Sequence, residues 1–177
     1  MFTRRQLLVA GGGLGIAALA AGVLPRFGAS AALISDAHAA ETFEVNHSEA
    51  QWRAQLSAEQ YQILREEGTE RAYSSALNNE HRDGTFDCAG CGLALFSSAT
   101  KFDSRTGWPS FWAPLNNAVA TREDRSYGVL REEVHCRRCG GHLGHVFNDG
   151  PQPTGLRYCM NGGAMVFVPG VESMSPS

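Results

Sequence analysis

Two cysteine pairs constrain the fold of this chain more than any other feature of its sequence. Cys88 and Cys91 form one C-x-x-C unit, and Cys136 and Cys139 form a second, distant one. Each unit presents two sulfurs from one tight turn, and the glycine that follows it lets backbone N–H groups approach the sulfurs closely. Together the two units predict a tetrahedral four-thiolate site for one structural Zn²⁺, which would tie two β segments together.

These four cysteines have alternatives to zinc binding. Neither unit continues as C-x-x-C-H, which argues against covalent c-type haem. No βαβ alternation surrounds either unit, which argues against a thioredoxin-like redox motif. Two disulfides remain an alternative in an oxidising compartment. A four-thiolate zinc site has no open coordination position, so its predicted role is stability and not catalysis.

Length and charge limit the classes of function. The chain has 177 residues, a formal net charge of −3 and a pI near 6.1. This length is enough for one domain with its own core. No basic stripe rises above the mild acidity, which argues against a nucleic-acid-binding protein.

Residues 1–39 are typical of an export signal. Arg4 and Arg5 precede an uncharged apolar run from Leu7 to Leu24, and an A-x-A cleavage pattern ends at Ala39. The arginine pair predicts the twin-arginine route and a periplasmic location. Cleavage would leave one catalytic domain, 40–177, of 138 residues with a net charge of −5 and no membrane segment. The alternative is a retained membrane anchor, which the glycines of the apolar run weaken.

The rest of the chain predicts a β-rich α+β fold. Residues 46–68 read as helical, with Ser-x-x-Gln capping boxes that begin at Ser48 and Ser57. After Gly84, short alternating runs are separated by Gly, Pro, Asn and Asp, which is the pattern of antiparallel strands and turns. We therefore expect antiparallel sheets preceded by a short helical region.

The fifth cysteine, Cys159, belongs to neither pair. If it lies on a strand, Arg157 and Asn161 are on the same face, because side chains alternate along a strand. A nearby guanidinium favours the thiolate and so activates the sulfur as a nucleophile. The alternative is a small buried apolar side chain, which is common for free cysteine.

A second polar cluster contains His142 and His145 among glycines, followed by Asp149. A pair of imidazoles with a following carboxylate favours proton-transfer chemistry. His135, beside Cys136, is either a neighbour of the metal or has no role. The remaining histidines are read as structural or exposed: His38, His47 and His81.

An aromatic turn contains Trp108, Phe111 and Trp112 around a glycine and a proline. Such a turn usually belongs to the core. It could also form the wall of a small apolar pocket.

Five ordered motifs of this chain resemble methionine-R-sulfoxide reductases of the B type. They cover residues 48–169 and read LSAEQYQILREEGTERAYSS, CAGCG, KFDSRTGWPSFW, HCRRCGGHLGHVFNDGP and TGLRYCMN. The resemblance implies a fold of antiparallel sheets, with zinc held by the two C-x-x-C units. It also implies repair of oxidised proteins by reduction of the R epimer of methionine sulfoxide, mainly in protein-bound form.

The resemblance also implies roles for individual residues. Cys159 would be the nucleophile, and Trp108 would cradle the ε-methyl group of the substrate. His142 and His145 would assist protonation and orientation. The polar network of the site would be completed by Asp149, Arg157 and Asn161. These roles suit a sulfoxide, whose sulfur accepts a thiolate and whose oxygen leaves poorly unless it is protonated.

The chain departs from the family at one position. Many members have a resolving cysteine two residues before the tryptophan of GWPSF, and this chain has Thr106 there. We therefore expect an external thiol, thioredoxin-like or small, to reduce the sulfenic acid of Cys159. Separately, we expect the protein to be a monomer. Two rival functions are a zinc-stabilised binding module without catalysis and a thiol–disulfide oxidoreductase that uses a C-x-x-C unit.

Overall fold

The structure, a computed structural model, describes residues 42–170. The predicted export signal, 1–39, lies outside these residues. Between 42 and 170, no helix is both long and apolar enough to cross a bilayer.

Two short helices begin the described chain. Helix α1 spans Glu49–Gln55 and helix α2 spans Ala58–Glu66, and both predicted capping boxes are present. The helical region predicted over 46–68 is therefore interrupted. The side chain of Ser57 accepts a hydrogen bond from the N–H of Gln60 and so begins a second helix. Trp52, Ile63 and Leu64 bury the apolar faces of the two helices.

Within residues 42–170, nine strands form two sheets, and all their pairings are antiparallel. The three-stranded sheet has the order β2-β1-β9, and the six-stranded sheet has the order β3-β4-β8-β7-β6-β5. The predicted β-rich α+β class is confirmed. The strands are β1 Gly84–Cys88, β2 Ala94–Ser97, β3 Lys101–Phe102, β4 Ser110–Phe111, β5 Val119–Asp124, β6 Arg131–Cys136, β7 His142–Phe147, β8 Arg157–Met160 and β9 Met165–Pro169.

Three fully buried phenylalanines join the two sheets. The rings of Phe96 on β2 and Phe111 on β4 are stacked with centroids 4.4 Å apart. Phe86 on β1 meets Phe111 edge-on at 4.9 Å. Burial of each such side chain contributes about 1.5–3 kcal/mol, so this cluster fixes the small sheet against the large one.

The pairing of β7 with β8 brings the chemically important residues together. His145 and Cys159 are direct partners in this pairing. A Cβ added at Gly144 would lie 2.1 Å from the carbonyl oxygen of Cys159, so only glycine permits this close approach of the two backbones.

Glu70 joins three segments behind the large sheet. Its buried carboxylate accepts hydrogen bonds from the N–H groups of Gly162 and Gly163, both at 2.8 Å. Its carbonyl accepts one from Nε1 of Trp108 at 3.1 Å, and its own N–H donates to Oδ1 of Asn161 at 3.0 Å. One residue therefore holds the loop after α2, the aromatic turn and the end of β8 in register.

We predict that Glu70→Gln lowers the free energy of unfolding by about 1–3 kcal/mol, because the new amide NH₂ faces a backbone N–H in a buried place. Denaturant unfolding measures this change. Glu66→Gln is the matched control, since Glu66 makes an exposed ion pair with Arg53 and its loss should cost less than about 1 kcal/mol. Equal stability of Glu70→Gln and the wild type would contradict the assigned role.

Candidate active site

The two C-x-x-C units come together in the structure, as predicted. The sulfur atoms of Cys88, Cys91, Cys136 and Cys139 all lie within 4.8 Å of one another. Three of these residues are buried, and Cys91 is half-buried. Positive φ angles at Gly92 (68°) and Gly140 (67°) allow the tight turn that follows each pair.

The spacing of the sulfurs fits a tetrahedral metal ion better than it fits disulfides. Sγ of Cys88 lies 3.7 Å from Sγ of Cys139, and Sγ of Cys91 lies 3.5 Å from Sγ of Cys136. Zinc–sulfur bonds of about 2.3 Å in a tetrahedron put the sulfurs about 3.8 Å apart. A disulfide needs about 2.05 Å. The close pairs also join one unit to the other, so the cluster links β1 to β6.

Arginines hold the two turns of the cluster in place. Nε of Arg138 donates to Sγ of Cys91 at 3.4 Å, and Nη1 of Arg65 donates to the carbonyl of Cys139 at 3.0 Å. The Cys91 sulfur raises the pKa of Arg138, although desolvation opposes this. Positive charge beside the sulfurs favours the deprotonated, thiolate form of the cysteines, which is the form that binds a metal ion.

Cys159 lies at a separate small pocket of about 160 Å³. The thiol is half-buried, and the pocket also contains His145, Trp108 and Asn161, three of the predicted site residues. The pocket is lined by Thr69, Trp108, Arg131, Gly144, His145, Phe147, Cys159 and Asn161. A half-buried sulfur in such a pocket is more accessible than a cysteine of the core.

Arg157 and Asp149 form an ion pair beside the pocket. Both oxygens of Asp149 accept hydrogen bonds from Arg157, at 2.8 and 2.9 Å. This pair raises the pKa of Arg157, and interaction with Cys159 raises it further. Arg157 also lies over the ring of Phe147, 4.4 Å from its centroid. The guanidinium is thus held beside Cys159, whereas the Asp149 side chain is 63% exposed.

Asn161 lines the pocket but uses its amide on the backbone. It lies one residue beyond the end of β8, and its Nδ2 donates to the carbonyl of Leu143 at 3.1 Å. Its Oδ1 accepts from Glu70, whose carbonyl also holds Trp108. Glu70 therefore positions both the indole of Trp108 and the amide of Asn161.

The two predicted histidines lie side by side on β7, with ring centroids 5.5 Å apart. His145 lines the pocket of Cys159, whereas His142 is 3% exposed and lines a neighbouring cavity of about 260 Å³ that His145 shares. Nε2 of His145 lies 2.8 Å from Asp124, and Nδ1 of His142 lies 2.7 Å from Glu133. Burial lowers the pKa of His145, so its imidazole is mainly neutral near pH 7.

Asp124 and Glu133 were missed by the sequence analysis. The pairing of β5, β6 and β7 brings them to the histidines, since Asp124 is opposite Arg131 and Glu133 is opposite His145. The sequence signal that could have indicated Glu133 was the alternation of side chains along REEVHC, which places Arg131 and Glu133 on one face of a strand. The register between the strands was needed to assign them to the site.

Thr106 lies next to the nucleophile candidate. Its Oγ1 is 3.8 Å from Sγ of Cys159. Its hydroxyl also contacts Ser104 at 2.8 Å, and Ser104 contacts Ser110 at 2.7 Å. The position at which the resemblance would allow a resolving cysteine is therefore in hydrogen-bonding contact with Cys159.

The remaining sequence predictions divide between core and surface. Trp108 faces the pocket, whereas Phe111 is fully buried in the core. His135 is buried with its ring against Phe43 and is not among the four clustered ligands. The side chains of His47 and His81 are exposed, and His38 lies outside the described residues.

Comparison with known proteins identifies the family of the chain. A family profile described as the SelR domain matches residues 56–169. A protein named peptide methionine sulfoxide reductase MsrB from Leptospira interrogans is 52% identical over 126 residues, which cover 71% of this chain and 96% of the relative. Proteins of the same name from Thiobacillus denitrificans and Agrobacterium fabrum are 57% and 54% identical, covering 69% and 71% of this chain and 93% and 94% of theirs. On these matches the chain belongs to the MsrB family of peptide methionine sulfoxide reductases and contains a SelR domain.

Proposed function

We propose that this protein reduces the R epimer of methionine sulfoxide in oxidised proteins and peptides to methionine. The observation that carries the proposal is the pocket itself, in which one half-buried thiol lies beside an imidazole and an indole wall. These residues lie within 56–169, which the SelR profile matches, and in the motifs that carry the resemblance, and both support the proposal. We also propose that the protein acts as a monomer.

The reaction transfers one oxygen from the sulfur of methionine to the sulfur of Cys159. The thiolate attacks the sulfoxide sulfur, and His145 supplies a proton to the sulfoxide oxygen. The attack joins the two sulfurs; the oxygen then passes to the Cys159 sulfur while the S–S bond and the S–O bond of the substrate break, so methionine leaves and Cys159 becomes a sulfenic acid. The Arg157 guanidinium stabilises negative charge on the attacking sulfur. Trp108 would receive the methyl group, so that only one epimer points its oxygen toward the polar side of the pocket.

We propose that the four-cysteine cluster holds one structural Zn²⁺ and takes no part in this reaction. The sulfur spacing and the thiolate donor set support zinc. When bound, the ion would supply four bonds that join β1 to β6. The cluster and the pocket are lined by different cysteines, so stability and chemistry are separable.

A matched pair of cysteine variants tests both assignments. We predict that Cys159→Ser abolishes reduction of a methionine sulfoxide peptide by a dithiol while zinc content and melting temperature stay unchanged. Cys136→Ser should lose bound zinc and unfold at a lower temperature, because one ligand of the cluster is removed. Activity, metal analysis and calorimetry measure these effects.

Two results would support the rival functions. Turnover by Cys159→Ser would refute the assigned nucleophile. Loss of activity in Cys136→Ser without loss of zinc or stability would favour an oxidoreductase that uses a C-x-x-C unit. No sulfoxide turnover by the wild type would leave a zinc-stabilised binding module.

We propose further that the catalytic cycle uses a single cysteine. Thr106 occupies the resolving position, 3.8 Å from Sγ of Cys159, and a hydroxyl cannot form a disulfide with the oxidised sulfur. An external thiol, thioredoxin-like or small, would attack the sulfenic acid, form a mixed disulfide and release water. A second thiol would then restore Cys159.

Thr106→Cys should convert this cycle to an intramolecular one. After one turnover without reductant, we predict a disulfide between positions 106 and 159 in the variant and a sulfenic acid at Cys159 in the wild type. Thr106→Ser is the control and should behave like the wild type. Mass spectrometry distinguishes these products, and an intramolecular disulfide in the wild type would contradict the single-cysteine cycle.

We propose that residues 1–39 direct the folded protein through the twin-arginine route to the periplasm. Arg4, Arg5 and the A-x-A pattern that ends at Ala39 support this. A route for folded proteins would also deliver the metal cluster already assembled. Replacing both arginines with lysine should keep the protein in the cytoplasm with its signal uncleaved, as cell fractionation and the N-terminal sequence would show. Export of that variant would contradict the proposal.

A further inference from the structure

We propose that Asp124 and Glu133 are positioning residues, each of which fixes the ring nitrogen that carries the proton in one of the two site histidines. The inference rests on the proposed reductase function and adds to it two residues and a tautomer for each imidazole. His145 would be protonated on Nε2, and His142 on Nδ1. The two neighbouring rings would thus hold opposite tautomers.

Asp124 holds His145 through an ionised carboxylate. Its Oδ2 lies 2.8 Å from Nε2 of His145 and accepts a hydrogen bond from Arg131 at 2.7 Å. Its Oδ1 accepts one from the N–H of Ser126 at 2.7 Å. Hydrogen bonds from Ser126 lower the pKa of Asp124 most strongly, and His145 and Arg131 lower it further. An ionised carboxylate only accepts hydrogen bonds, so Nε2 must carry the proton and Nδ1 the lone pair.

Glu133 orients His142 through the same kind of hydrogen bond, but the bond is made to Nδ1 of the ring and not to Nε2. Its Oε1 lies 2.7 Å from Nδ1 of His142, and its Oε2 accepts a hydrogen bond from Nε of Arg122. Burial raises the pKa of Glu133, but the hydrogen bonds from His142 and Arg122 outweigh burial, and the net effect lowers it. Nδ1 of His142 therefore donates, and its Nε2 keeps a lone pair.

The buried Nε2 of His142 gives independent support. It has no hydrogen-bond partner among the described residues, although the side chain is only 3% exposed. A protonated nitrogen in that place would be an unsatisfied donor. A lone pair there remains open to a proton or a hydrogen-bond donor that arrives with the substrate.

This arrangement gives His145 a defined function in the reaction. His145 and Cys159 are paired across β7 and β8 and line the same pocket, so the lone pair on Nδ1 would take the proton of the Cys159 thiol, directly or through a water molecule. Asp124 stabilises the resulting imidazolium, as a carboxylate does for the histidine of a serine protease. The same proton then passes to the sulfoxide oxygen and ends on the sulfenic acid. Thiol and sulfoxide therefore give sulfenic acid and methionine without a net change in protons.

The tautomers can be measured directly in the wild-type, zinc-loaded protein. Long-range ¹H–¹⁵N NMR should show a single Nε2–H tautomer for His145 and a single Nδ1–H tautomer for His142. The opposite tautomer, or a mixture, at either ring would overturn the inference for that ring. Since this measurement needs no turnover, it is independent of the proposed reductase activity.

Two charge-removing variants test the effect on the reaction. Asp124→Asn keeps the size of the side chain but cannot stabilise an imidazolium. We expect its kcat to fall roughly tenfold or more, with KM within about threefold of the wild type. Glu133→Gln should also lower kcat more than KM. The matched controls are Glu123→Gln and Glu132→Gln, neighbours on the same strands whose turnover should equal that of the wild type.

The controls separate positioning from folding. Zinc content and circular dichroism of all four variants should match the wild type at the assay temperature. Asp124→Glu should recover part of the kcat lost in Asp124→Asn, since it restores the charge. An undiminished kcat in Asp124→Asn, or an equal loss in Glu123→Gln, would overturn the assignment of Asp124. If Asp124→Asn and Glu133→Gln kept the wild-type kcat while the wild type reduced sulfoxide, this inference would be wrong and the proposed function would stand.

Discussion

The site depends on the close pairing of β7 with β8. This pairing needs a glycine at position 144, because any Cβ there would collide with the carbonyl of Cys159. It makes His145 the direct partner of Cys159 and leaves Phe147 opposite Arg157. Backbone register thereby brings a thiol, an imidazole, a guanidinium and an aromatic ring onto one sheet face. No flexible loop is needed to assemble them, and a strand gives more precise positions than a loop would.

The rest of the fold keeps this sheet face rigid. The four-cysteine cluster joins β1 to the end of β6, on the strand that also supplies Glu133. Glu70 fixes the aromatic turn and the end of β8 through its backbone and its buried carboxylate. The cluster and the carboxylate thus support the pocket from outside it.

The sequence predicted the parts of this protein that are local in the chain. The C-x-x-C units, both capping boxes and the alternation of RYC are properties of neighbouring residues, and the structure contains all of them. Asp124, Glu133 and the Glu70 contacts were not predicted. They depend on which strands pair and on their register, which short motifs do not contain. The division of 46–68 into two helices was also not predicted. The capping box at Ser57 was recognised in the sequence, but the sequence did not show that it begins a second helix.

The most direct test of the central claim is stereochemical. Both epimers of a methionine sulfoxide peptide are supplied to the zinc-loaded protein with a dithiol, and the loss of each is followed by chiral chromatography. If a fixed thiol, a fixed proton donor and an indole wall define the pocket, the R epimer disappears and the S epimer remains. Reduction of both epimers at similar rates, or of the S epimer alone, would contradict the account.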